Sequence, residues 1–152
     1  MSIERTGSAV WSGGLKDGGG KISTQSGALN GVQYGFHTRF EDGPGTNPEE
    51  LIGAAHAGCF TMALSGVLAE AGIPAQNLET SATVSLDKVE GGYAVSKVHL
   101  KLVATIAGAD QAKFEEAANK AKLNCPISKL LKAEITLDAT PSRNSRLHQA
   151  LP

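Results

Sequence analysis

The feature that most constrains the fold is a helix start that leads into a long apolar run. Asn47 can act as the N-cap, Pro48 suits the first helical position, and Glu50 at the third position completes a capping box. We expect the helix to run from about residue 48 to Ala71. Its apolar side chains point in every direction, which predicts a buried helix that carries Cys59 into the interior; they are Ile52, Ala55, Phe60, Met62, Leu64, Val67 and Leu68.

The other cysteine also lies at a predicted helix boundary. Pro126 is typical of a first helical residue, so Cys125 would be the N-cap of a short helix. Partial positive charge at a helix N-terminus favours a thiolate and helps to lower a cysteine pKa from ~8.5 into the range of ~3.5–7.5. Two such cysteines and no third suggest a redox pair. The alternative stays open at this point, because a buried cysteine on an apolar helix is usually a small hydrophobic side chain.

Short strands are predicted before the long helix, separated by glycine-rich turns. Residues 32–40 alternate between apolar and polar positions, so we expect one strand there with His37 and Arg39 on the same side. Two earlier strands are expected near residues 9–12 and 21–25.

After the long helix, the pattern predicts an antiparallel hairpin of residues 78–86 and 98–106 across a Glu90-Gly91-Gly92 turn. Asp110 can cap a helix that bears Phe114, and residues 133–139 alternate as a last strand. The predicted fold class is therefore α+β.

Composition limits the domain count and the partners. A chain of 152 residues with 41% hydrophobic content is one domain's worth, and we assign residues 1–140 to a single domain and 141–152 to a flexible C-terminal tail. A net charge of −1 without a basic run argues against nucleic acid as a partner. We identify no segment that approaches the ~18 apolar residues of a membrane span and no secretory signal, so we expect a cytoplasmic protein without a membrane partner. Cysteines in that reducing compartment are more often catalytic than structural.

Several motifs together resemble one known family. Thr46-Asn47-Pro48-Glu49 stands with Cys59 ten residues after the glutamate, and Cys125-Pro126 follows far along the chain. With the runs 34–40, 84–89 and 131–137, this combination resembles the osmotically inducible protein C family over nearly the whole chain. The resemblance implies an α+β fold with antiparallel sheets and a long buried central helix. It also implies an intertwined homodimer whose active sites lie at the subunit interface.

The resemblance implies a thiol-dependent peroxidase for organic hydroperoxides, acting in oxidative or osmotic stress defence. Cys59 would be the nucleophile and Cys125 the resolving thiol. A guanidinium suits the role of stabilising both thiolate and peroxide, and Arg39 is the candidate, held by Glu49 at the family's glutamate position. We expect no bound cofactor and no metal. An external dithiol would restore the thiols, and a lipoyl-linked dithiol is one candidate for this reductant.

Two other functions fit parts of the pattern. The protein could bind a small apolar ligand with cysteines that only pack, or it could bind a metal through Cys59, Cys125 and His56. His56 lies three residues before Cys59, but a hydrogen-bonded core histidine is the commoner role for such a residue.

Overall fold

The computed structural model describes residues 1–142 and 146–148. The chain divides into two compact units, Met1–Leu51 and Ile52–Pro152, and each is described by itself. The prediction of a single domain over residues 1–140 stays a prediction.

The first unit contains a small antiparallel sheet. Its strands are β1 (Gly7–Ser12), β2 (Gly19–Thr24) and β3 (Val32–Tyr34), in the order β1-β2-β3. The two early strands were predicted close to these positions.

The prediction of one strand over residues 32–40 is wrong in its second half. The strand ends at Tyr34, and Phe36–Phe40 form a short helix, α1. Thr38 Oγ1 accepts a hydrogen bond from the backbone N–H of Gly35 and donates to the Gly35 carbonyl, at 2.8 and 3.0 Å, which closes a turn where a strand would continue. Because residues two apart on a helix lie on different faces, His37 and Arg39 do not share a side as expected.

The long helix α2 spans Pro48–Glu70, as predicted to within one residue at its end. Asn47 Oδ1 accepts a hydrogen bond from the Glu50 backbone N–H at 2.8 Å, which confirms the cap. The other half of the predicted capping box differs, since the Glu50 carboxylate accepts a hydrogen bond from the Thr46 hydroxyl at 2.8 Å.

Within the second unit, one side of α2 is buried and the other is exposed. A single chain therefore does not bury this helix on all sides, as we expected it to. The buried positions recur every three or four residues, which is the spacing of one helix face: Gly53, His56, Phe60, Leu64 and Leu68. On the opposite side Met62 is 78% exposed. By length and composition α2 could cross a membrane, so our expectation that no segment approaches that length is wrong.

The second unit is built on a mixed sheet of order β4-β5-β7. Strands β4 (Asn77–Val89) and β5 (Gly92–Thr105) form the predicted antiparallel hairpin. Strand β7 (Glu134–Pro141) pairs parallel to β5, so the expectation of antiparallel sheets holds for the hairpin and fails at this edge.

Two helices follow the hairpin. Asp110 caps α3 (Gln111–Asn124) as predicted, and its carboxylate accepts from the backbone N–H groups of Ala112 and Lys113. Cys125 is the N-cap of α4 (Pro126–Leu130), also as predicted.

The last elements include a strand that was not predicted. Strand β6 (Ala107–Asp110) pairs parallel to β8 (Arg146–His148), which falls in the segment assigned to a flexible tail. Residues 143–145 and 149–152 of that segment lie outside the described residues.

The core of the second unit lies between α2, β5 and α3. Alternate residues of β5 are fully buried, which is the period-2 pattern of a strand covered on one face. The core consists of Phe60, Leu64, Leu68, Val98, Leu100, Leu102, Ala104, Ile106, Phe114, Ala117, Ala118, Ala121 and Cys125. The α+β class is confirmed, and Cys125 belongs to the core itself.

Candidate active site

The structure brings the two cysteines together in the second unit. Cys59 lies in the middle of α2 and Cys125 at the start of α4, and the two thiols interact directly. Both are free thiols. Cys125 is fully buried, whereas Cys59 is half-buried and is the more accessible of the two.

Cys125 is surrounded by hydrogen-bond donors. Burial by itself raises the pKa of the Cys125 thiol, but the hydrogen bonds that it accepts, led by those from Ser128, together outweigh burial and the pKa is lowered. The Ser128 hydroxyl donates to Cys125 Sγ at 3.5 Å and the Ser128 backbone N–H donates at 3.4 Å. Cys59 and the backbone N–H of Ile127 add to the effect. A thiolate at Cys125 is therefore stabilised although no water reaches it.

Cys59 is in the opposite electrostatic situation. Burial raises the pKa of the Cys59 thiol, and the neighbouring Cys125 raises it further. The backbone N–H of Ile127 offsets part of this rise. Within the second unit, the more accessible thiol is thus the one that ionises less readily.

Behind Cys125 lies a buried histidine. His56 Nε2 and Ser128 Oγ are 2.8 Å apart, so a contact of residues 72 positions apart joins α2 to α4. Burial lowers the pKa of His56, which keeps the ring neutral. The interpretation of His56 as a hydrogen-bonded core histidine is confirmed.

The first unit contains the other predicted pair. Arg39 on α1 and Glu49 in the first turn of α2 form an ion pair, with Arg39 Nη2 at 2.8 Å and Nε at 3.1 Å from Glu49 Oε1. The Glu49 side chain is 11% exposed and that of Arg39 is 41% exposed. The two nitrogens of Arg39 that meet the carboxylate fix the plane of the guanidinium.

The loop before α2 fixes the position of this ion pair. Asn47 caps α2 and also donates its side-chain N–H to the Thr38 carbonyl of α1 at 3.0 Å. Gly45 has a φ of +124°, and a Cβ there would collide with the Gln33 carbonyl, so glycine is required. Asn47 therefore both starts α2, which bears Glu49, and ties α2 to α1, which bears Arg39.

The four predicted site residues thus form two contacting pairs, Cys59 with Cys125 and Arg39 with Glu49, one in each unit. Ser128 was not among the predicted site residues. A signal for it exists, because the third residue after an N-cap normally donates its backbone N–H to the cap side chain, and Ser128 stands three residues after Cys125. Over the part of the chain that the structure describes, no three His, Cys, Asp or Glu side chains converge as a metal site requires.

An α+β fold with two contacting thiols places this chain among the α+β proteins that hold a pair of neighbouring cysteines. Within that class, the family described as OsmC-like protein matches residues 41–140 of this chain. The chain belongs to the OsmC family.

Relatives and solved structures agree with this assignment. The chain is 54% identical over 138 residues to peroxiredoxin OsmC of Escherichia coli (strain K12), which covers 91% of this chain and 96% of the relative. It is 31% identical over 117 residues to the organic hydroperoxide resistance protein OhrB of Bacillus subtilis (strain 168), covering 76% and 84% of the two chains. The crystal structure of Bacillus subtilis OhrB superposes with a TM-score of 0.64 at 29% identity over 90% of this chain and 98% of that one.

Proposed function

We propose that this protein is a cysteine-based peroxidase that reduces organic hydroperoxides to alcohols in oxidative or osmotic stress defence. The observation that carries the proposal is the direct contact of Cys59 and Cys125 in a chain so similar to a named peroxiredoxin. The sulfenic acid of a lone cysteine is exposed to further, irreversible oxidation, whereas a second thiol in contact converts it into a disulfide that a dithiol can reduce.

Cys59 is the proposed nucleophile. Its thiolate attacks one oxygen of the hydroperoxide, the O–O bond breaks, and the alkoxide leaves and takes a proton to become the alcohol. Cys59 is then a sulfenic acid. Access supports this choice over Cys125, because the attacking sulfur must touch the peroxide and Cys125 is fully buried in the chain.

The raised pKa of Cys59 means that this thiol needs a cation to ionise at neutral pH. We propose Arg39 for that role, with Glu49 as the residue that holds its guanidinium. The Arg39 guanidinium also lies 5.6 Å from the centre of the Phe40 ring, and the Phe36 and Phe40 rings are 5.0 Å apart. Apolar surface beside the cation suits an alkyl hydroperoxide better than H₂O₂.

Cys125 is the proposed resolving thiol. It displaces hydroxide from the Cys59 sulfenic acid, forms the disulfide and so prevents irreversible over-oxidation. An external dithiol then reduces the disulfide by thiol exchange, and a lipoyl-linked dithiol is our candidate.

We further propose a cytoplasmic homodimer. The exposed side of α2 supports it, since Met62 and its small neighbours on that side form an apolar surface of the kind that a second subunit covers. Light scattering on dilute protein tests this part, and an active monomer at nanomolar concentration would contradict it.

The peroxidase activity itself is tested by hydroperoxide consumption. Purified protein reduced by dihydrolipoamide should consume cumene hydroperoxide faster than H₂O₂ over many turnovers. The double variant Cys59→Ser/Cys125→Ser is the blank. Consumption no faster than this blank would overturn the proposal and favour a protein that only binds apolar ligands.

A further inference from the structure

Cys125 is the end of a buried chain of hydrogen bonds. Its Sγ accepts from the hydroxyl and the backbone N–H of Ser128, at 3.5 and 3.4 Å, and Ser128 Oγ lies 2.8 Å from His56 Nε2. His56 and Cys125 are fully buried and Ser128 is nearly so. Nothing in the proposed cycle yet uses Ser128 or His56.

When Cys125 is ionised, the number of protons available fixes which atom donates in each of these hydrogen bonds. The Ser128 hydroxyl has one proton, and when that proton points to the thiolate, Oγ accepts a hydrogen bond from His56. His56 must then carry its proton on Nε2. Nδ1 is left as a bare lone pair, and it is indeed the buried side-chain atom without a hydrogen-bond partner among the described residues.

A charged His56 would not serve this arrangement. A proton on Nδ1 would add a buried donor without a partner, together with a buried charge, and burial already lowers the pKa of this ring. The neutral ring with its proton on Nε2 is therefore the form that matches the surroundings. It acts as a fixed donor behind the serine.

We propose that Ser128 is a further catalytic residue, which holds Cys125 as the thiolate that attacks the Cys59 sulfenic acid, and that His56 is a positioning residue which aims the Ser128 hydroxyl. The proposal rests on the proposed function, because it concerns the resolving step. In that step the S–S bond forms and the S–O bond of Cys59 breaks. The Cys125 sulfur is oxidised, the Cys59 sulfur is reduced, and the leaving hydroxide takes a proton to become water.

The gain in rate follows from thiol chemistry. When a lower pKa raises the thiolate fraction tenfold, the nucleophilicity of each thiolate falls only about threefold, because nucleophilicity depends on pKa with a coefficient of about 0.4–0.5. Stabilising the thiolate therefore accelerates the step at any pH where the thiol would otherwise be protonated. The titratable groups that bear on Cys125 are Cys59 by direct contact and His56 through Ser128.

Stopped reactions with one equivalent of cumene hydroperoxide test this in the full chain. Sulfenic acid on Cys59 is trapped and the disulfide is measured by intact mass, each as a function of pH. Ser128→Ala should slow disulfide formation by about 3–10-fold near neutral pH and move its pH midpoint upward, with no slowing of sulfenic acid formation. His56→Leu should produce a smaller change of the same kind.

Conservative variants are the matched controls. Ser128→Thr keeps the hydroxyl, and His56→Gln keeps an N–H donor near the position of Nε2, so both should retain most of the rate and the pH midpoint. A Ser128→Ala protein with an unchanged rate and pH profile of disulfide formation would overturn the proposal.

A second measurement needs no variant. The ¹⁵N chemical shifts of the His56 ring in the protein with Cys125 ionised should show a neutral ring with its proton on Nε2, and a proton on Nδ1 alone would overturn the proposed direction. Wild-type protein that forms no disulfide at all would contradict the proposed function instead, so the two failures are distinguishable.

Discussion

The middle of α2 and the start of α4 each present one cysteine, and the two places treat the same thiol in opposite ways. Cys59 is the more accessible thiol, and burial together with Cys125 raises its pKa. Cys125 is fully buried, and the Ser128 donors lower its pKa in spite of that burial. The more accessible thiol is thus not the thiol that ionises more readily. A thiol in mid-helix has no free backbone N–H of its own turn to face it, whereas a thiol at an N-cap has one.

The largest expected effect comes from removing one thiol at a time. Cys59→Ser should reduce peroxide turnover to the level of the double variant, because no accessible nucleophile is left. Cys125→Ser should react once with a hydroperoxide and then stall as a sulfenic or over-oxidised form. Peroxide consumption with a dithiol, followed by intact mass, separates the two. Sustained turnover in Cys59→Ser would reverse the assignment of the two roles.

Next in size is the effect of the proposed cation on Cys59. Arg39→Ala should slow alkylation of Cys59 at neutral pH by about tenfold, since loss of a nearby cation raises a thiol pKa. Glu49→Ala should slow it less, because the guanidinium remains but is no longer fixed. Peptide mapping after iodoacetamide gives the rate at each cysteine. An unshifted pH profile in Arg39→Ala would move the role to another cation, with Arg5 or Lys21 next in line.

A few-fold effect should follow from the coupling between the thiols. Because Cys125 raises the pKa of Cys59, Cys125→Ser should make Cys59 alkylate faster at neutral pH. The reciprocal variant Cys59→Ser removes an interaction that lowers the pKa of Cys125, so that pKa should rise. The alkylation rate of the remaining cysteine as a function of pH checks both directions. Equal profiles in both variants would show that the two sites do not differ as described.

The smallest effect concerns stability. Burial lowers the pKa of His56 below its usual value of 6.5, so the unfolded chain binds more protons as the pH falls. The contribution of neutral, buried His56 to the free energy of unfolding is fully present above pH 6.5. It is lost as the pH falls through the folded-state pKa. Urea unfolding at several pH values should show this loss in the wild type and a flatter profile in His56→Gln. An unchanged pH slope in His56→Gln would contradict this prediction.

Much of the fold follows from local sequence signals. The cap at Asn47, the hairpin turn at 90–92 and the cap at Asp110 each depend on a few neighbouring residues, so the sequence predicts them well. The parallel pairing of β7 with β5 could not be predicted, because alternation specifies the faces of a strand and not the direction of its neighbour. Helix α1 was missed because the alternation continues past Gly35, where a single threonine hydroxyl closes the turn.

The candidate site was predictable in kind and not in arrangement. Family motifs indicated Cys59, Cys125 and Glu49, the chemistry of a guanidinium beside a thiolate indicated Arg39, and the structure adds which of them touch. The contact between His56 and Ser128 spans 72 positions in the chain, and no local pattern encodes it. The different ionisation of the two thiols likewise depends on contacts that form only in the folded chain.

In the proposed cycle, Cys59 and Cys125 act together on a hydroperoxide. Thiol titration of the reduced protein before and after one equivalent of cumene hydroperoxide tests it most directly. We expect both thiols of a chain to disappear together, the mass to fall by two hydrogen atoms, and a dithiol to restore both thiols. Two thiols that remain titratable after the hydroperoxide is added would rule out this cycle.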